Sequence, residues 1–114
     1  MINAIERARD LLTDVLPVGI NHYGRKARVY AVLRQVDQWF QRSDNRNSMQ
    51  YDLIQVDVWA ADGPDYGMDK RVRDALEAAG FKLCRTGGDS DSVDGVMLHR
   101  ISHDYQFDQE YEEV

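Results

Sequence analysis

The chain has 114 residues, 43% of them hydrophobic and 30% charged, and a net charge of −6. That length holds one domain with one core and excludes two, and no run of about eighteen apolar residues offers a membrane-spanning helix. The acidity is local. Asp104, Asp108, Glu110, Glu112 and Glu113 occupy residues 104–114 without a base, which leaves 15 acids against 14 bases before them. Neither part gathers the basic surface that drives nucleic-acid binding. A single cysteine, Cys84, cannot close an internal disulfide and suits a reducing compartment. The opening M-I-N-A-I-E-R-A-R-D is charged and periodic where a signal peptide would be apolar, so the chain is expected to stay in the cytoplasm.

Residues 2–16 carry Ile5, Ala8, Leu12, Val15 and Leu16 at helical spacing with charges outside, and Pro17 stops the helix they predict. Val18–Arg28 reads as an irregular or short extended connection holding the one basic cluster, Arg25, Lys26 and Arg28. Val29–Val36 alternates as a strand, with Val29, Ala31 and Leu33 opposite Tyr30, Val32, Arg34 and Val36. Asp37–Ser48 is polar with turn chemistry, which predicts a long hairpin loop whose base is anchored in the core by Trp39 and Phe40, an exposed aromatic contact for a partner being the alternative reading of the pair.

The stretch Met49–Asp62 is the most regular in the chain and predicts the central strand. Ile54, Val56, Val58 and Ala60 share one face; Tyr51, Leu53, Gln55, Asp57 and Trp59 share the other. A carboxylate and an amide between large side chains suggest a half-buried face, suited to a second copy of the protein. If Asp57 is buried it needs a partner such as Arg34, as a structural ion pair rather than a catalytic acid.

Asp62-Gly63-Pro64-Asp65 makes a turn, and Asp65 caps a helix from about Tyr66 with Met68, Val72, Ala75, Leu76 and Ala79 as its buried stripe. Gly80 closes that helix. Phe81–Thr86 and Gly95–Ser102 read as strands around an acidic loop, Gly87–Asp94. Asp104 onward reads as an acidic extension of residues 104–114, either more strand or a mobile tail, after a domain of residues 1–103. The order α-β-β-α-β-β predicts an α+β fold, a largely antiparallel sheet with two helices on one face.

Chemistry is sparse. Asp89-Ser90-Asp91-Ser92-Val93-Asp94-Gly95 brushes against a calcium loop, but its third acid is one residue late and position twelve is Arg100. His99 and His103 lack zinc-motif partners, and Cys84 lacks a nucleophile context and is expected to be a buried thiol. No phosphate-binding loop, dinucleotide fingerprint or nucleophile elbow occurs. Neither a catalytic residue nor a cofactor or metal site is expected.

The strand Y-D-L-I-Q-V-D-V-W-A-A-D and the helix end A-L-E-A-A-G-F, in this order of elements, resemble the tail terminator proteins of long-tailed bacteriophages, also called tail completion or head–tail joining proteins. The resemblance covers about residues 1–103 and its motifs are structural. It implies a non-enzymatic virion protein made in the host cytoplasm, which forms a hexameric ring on the finished tail tube and is in some cases monomeric when free. Such a ring stops tube polymerisation and docks the head connector, while DNA passes through without specific binding.

On that basis the interface candidates are Arg25, Lys26, Arg28, Gln55, Asp57 and Trp59. The acidic lumen or partner-facing candidates are Asp89, Asp91, Asp94, Asp108, Glu110, Glu112 and Glu113. Two other readings stand beside it: another connector or minor tail adaptor, and a small cytoplasmic protein-binding module that recruits through the acidic tail.

Overall fold

The computed structural model describes residues 2–24, 27–42, 47–93 and 96–112. Its elements are α1 (Ala4–Leu12), β1 (Val18–Ile20), β2 (Val29–Arg42), β3 (Asn47–Ala60), α2 (Tyr66–Ala78), β4 (Lys82–Val93) and β5 (Val96–Glu112). The strands form one sheet in the order β1-β2-β3-β5-β4. Among the described residues β1 and β2 pair in parallel, and the β2–β3, β3–β5 and β4–β5 pairings are antiparallel. The α+β architecture read from the sequence is the one observed, with β1 as an added strand.

Each helix begins where a side chain satisfies its free backbone amides. Asn3 Oδ1 accepts the Glu6 amide at 3.2 Å to start α1, and Asp65 Oδ1 accepts the Met68 amide at 2.9 Å to start α2. Regular helix α1 stops at Leu12, short of the expected Leu16. Turn bonds from Val15 and Leu16 back to the Leu12 carbonyl still bring Leu16 into the core. Gly80, at φ 96°, closes α2 in the left-handed region, where a side chain would be strained.

The sheet's even-numbered β3 face, Ile54, Val56 and Val58, packs with Leu33, Tyr105 and Phe107 beneath Ala8 and Leu12 of α1 and Val72 and Leu76 of α2. Both helices therefore cover one face. The opposite face, which we call the open face, carries Tyr30, Val32 and Arg34 of β2 across from Trp59, Asp57 and Gln55 of β3.

Three expectations about length are corrected. The expected hairpin loop at Asp37–Ser48 is mostly strand, because β2 runs on to Arg42 and β3 starts at Asn47. Glutamines, serines and aspartates there read as turn chemistry, yet alternating cross-strand pairing accommodates them, with Gln38 and Gln41 exposed and Ser48 buried. The expected loop at Gly87–Asp94 is likewise strand as far as Val93, and Asp94 lies outside the described residues. The boundary expected at Asp104 falls inside β5, which continues unbroken to Glu112; strand extension, not a detached tail, is what residues 104–112 form.

These long strands are staggered. The β2–β3 hairpin and the end of β5 project past the helices one way, and the β4–β5 hairpin projects the other way. The molecule is accordingly elongated, 55 × 24 × 23 Å. Each flank carries one irregularity, at Val36 between Gln35 and Asp37 and at Cys84 between Leu83 and Arg85. Both lie level with the Ile54–Tyr105 pair, so the strands bend on both flanks at one height.

Candidate functional site: the open face of the sheet

A ladder of rings crosses the open face. Tyr23 stacks on Tyr30 with centroids 4.9 Å apart, Tyr30 on Trp59 at 6.5 Å, and the Arg100 guanidinium lies 5.6 Å from the Trp59 ring centre. Burial in this ladder pushes the Tyr30 phenol above its usual pKa. Further along, Trp39 stacks on Tyr51 at 5.3 Å.

Beside Trp59 sits a polar network. Gln55 Nε2 donates to Asp57 Oδ1 at 2.9 Å and to the Ser102 hydroxyl at 3.1 Å, and Arg100 Nη1 lies 3.5 Å from Asp57 Oδ2. Asp57 is fully enclosed by these neighbours although no second layer among the described residues covers the sheet there. Its cationic partner is Arg100 of β5, not Arg34, which is exposed: the antiparallel register sets Asp57 opposite Ser102 and diagonal to Arg100. Arg85 grips Asp104 at 2.5 and 2.9 Å. Together with Gln55, Arg100 and Ser102 these two line a shallow cavity of about 220 Å³ floored by Gly87 and Gly88.

The sequence-derived interface set is thus partly assembled. Gln55, Asp57 and Trp59 do converge, but Asp57 is spent inside the chain. Arg28 lies apart from them and is paired with Asp62, whose hydrogen bond and charge raise the guanidinium pKa further. Arg25 and Lys26 lie outside the described residues. Among the acidic set, Asp89 and Asp91 are placed in β4, and Glu110 and Glu112 in distal β5, with Glu110 exposed. Asp108 accepts from Lys82 at 3.0 Å and from Gln106 at 2.7 Å. Asp94 and Glu113 lie outside the described residues.

Two further expectations are corrected. Trp39 and Phe40 do not anchor in the core; they are 38% and 53% exposed, Trp39 because the register turns it to the open face opposite Tyr51. Cys84 is exposed rather than buried, since the irregularity in β4 turns it out of the alternation.

Beneath the helices lie two polar clusters that the residue patterns left unread. Asp52, 1% exposed, accepts from Gln35 at 3.1 Å, Gln38 at 2.8 Å and Gln50 at 3.0 Å. Asp69 of α2 meets His103 Nε2 at 2.8 Å, and His103 Nδ1 meets the Thr86 hydroxyl at 3.0 Å. With the proton on Nε2, the imidazole donates to Asp69 and accepts from Thr86. The signal was present in both cases. The two-residue period from Ile54 runs back to Asp52 and Gln50, and Asp69 stands three and seven residues before Val72 and Leu76.

No protein-family model and no curated protein matches the chain. A solved structure that is 18% identical over 96% of this chain and 90% of its own superimposes with a TM-score of 0.41, too low to carry an argument.

Proposed function

We propose that this chain is a ring-forming structural subunit that caps a bacteriophage tail tube, halting its growth and offering a docking surface to the head connector. The observation that carries the reading is the two-ended body: a helix-backed sheet with hairpins projecting in opposite directions along its 55 Å length. A subunit joining a tube below to a connector above needs such opposed ends. The Y-D-L-I-Q-V-D-V-W-A-A-D strand and the A-L-E-A-A-G-F helix end, both resembling tail terminators, support the same reading. Glu110, exposed on distal β5, supplies negative charge for a lumen that DNA would slide through without adhering.

Tails assembled without this chain are expected to be overlong in electron micrographs. Tails of natural length lacking heads would assign an adaptor ring instead, and tails of natural length with heads attached would discard the reading.

A further inference from the structure

Among the described residues, both flanks of the sheet present unpaired strand edge. β1 pairs with β2 at Ala31–Leu33, so among the described residues no strand lies beside the outer edge of β2 from Arg34 onward. β4 is the terminal strand on the other flank. A long strand edge with exposed apolar side chains is a template for another strand, and here Val36 is 47% exposed and Trp39 38%.

We propose that the distal edge of β2 pairs antiparallel with the β4 edge of a second copy, extending the sheet head to tail. Three observations select this partner. First, β2, β3, β5 and β4 alternate in direction, so the β4 of a copy placed alongside without flipping already runs opposite to β2. Second, pairing β2 with β4 covers both bare edges through one repeated contact, whereas a two-fold pairing of either edge with itself leaves the other bare. That makes the contact heterologous, the kind that closes rings.

The third observation is Gly87. Its φ lies outside the left-handed region, and a Cβ built on it meets nothing within 4 Å, so the chain's own fold does not demand glycine there. Glycine inside a strand marks a bulge, a bend or a close approach; the β4 irregularity lies at Cys84, not Gly87, and Trp39, on the same open face, is the bulky side chain that would fill the gap. Gly87 is level with Asp57, and Trp39 with Tyr51, six residues farther along β3. Bringing them together slides the second copy by roughly 20 Å, at about 3.3 Å per residue. The slide carries all of β4 but Ser92 and Val93 clear of β1, those two coming level with Ile20 and Gly19, and such a shear tilts strands in a closed barrel. The proposal rests on the ring-subunit reading for its closure, though not for the contact.

Val36→Asp places a carboxylate on the β2 edge, at the level where this register brings Asp89 and Asp91 of the second copy, and Gly87→Gln fills the gap on β4 from within; circular dichroism of each should match the wild type. In sedimentation up to about 1 mM, where contacts of about −4 kcal/mol are populated, the wild type is expected to exceed its 13.2 kDa chain mass. Each variant alone should remain monomeric. The two mixed should form a one-to-one dimer and stop, because each retains one competent edge. A wild type that stays monomeric, a single variant that still dimerises, or a mixture that does not would overturn the proposal. A dimerising mixture beside tails of natural length in the protein's absence would sustain this contact and sink the capping function.

Discussion

Tyr105 has its ring wholly enclosed in the core while its hydroxyl finds no hydrogen-bond partner among the described residues. Burial, then the nearby charge of Asp69, pushes the phenol well above its usual range. The folded state therefore holds this proton after the unfolded chain has released it, above about pH 10. Stability is full below that pH and falls as pH rises through it. Tyr105→Phe removes a desolvated hydroxyl that bonds to nothing, so at neutral pH it should leave stability unchanged or raise it by about 1 kcal/mol. It should also flatten the alkaline loss in thermal melts taken across pH 9–11. Asp69 behaves oppositely. Removing its carboxylate with Asp69→Ala strands the buried His103 Nε2 and deletes a favourable charge from the first turn of α2. A loss of about 2–3 kcal/mol is expected, read as a lower urea midpoint at unchanged slope.

At the scale of elements, two adjacent glycines in β4 play different parts. A Cβ on Gly88 would stand 2.8 Å from the Arg100 carbonyl oxygen, in the backbone of the partner strand, so Gly88→Ala must push β5 away. A cost of about 1–3 kcal/mol is expected for that crowding, while Gly87→Ala should leave the monomer's urea midpoint nearly unchanged.

The identity and facing of β3, the capping of α2 by Asp65 and its closure by Gly80 were all legible, because each rests on a period or a single local residue. The extra length of β2, β4 and β5 was not. Their ends are rich in Gln, Ser, Asp and Gly, which read as loop unless the partner strand is known. The Gln55–Asp57–Trp59 grouping was legible for the same reason that β3 was. Arg100, which completes it, enters through the β3–β5 register, and no local pattern encodes that register.

Over the whole molecule, the two ends of the described chain are tied together: the Gln109 side chain donates to the Ile2 carbonyl at 2.7 Å and accepts the Ile2 amide at 2.9 Å. Distal β5 is structural in the core as well, since Tyr105 and Phe107 belong to it and Phe107 packs on Phe81 at 4.7 Å. Ending the chain at Asp104 deletes two buried aromatics worth about 3–5 kcal/mol each, against a total stability of about 5–15 kcal/mol for a domain. The shortened protein is expected to lack a cooperative melt in circular dichroism. A recruiting module with a detachable acidic tail would instead yield a folded, truncated monomer.

Strand order and chain order disagree at one place, and biosynthesis must contend with it. β5 is the last of the strands to leave the ribosome, yet it sits between β3 and β4. Until it arrives, β3 holds one flank open beside Ile54, Val56 and Val58, and β4 has nothing to pair with. Nascent copies on one messenger would hold these flanks open close together, a setting that favours strand exchange between neighbours before each chain completes itself. Slow translation ahead of Val96 would lengthen that interval.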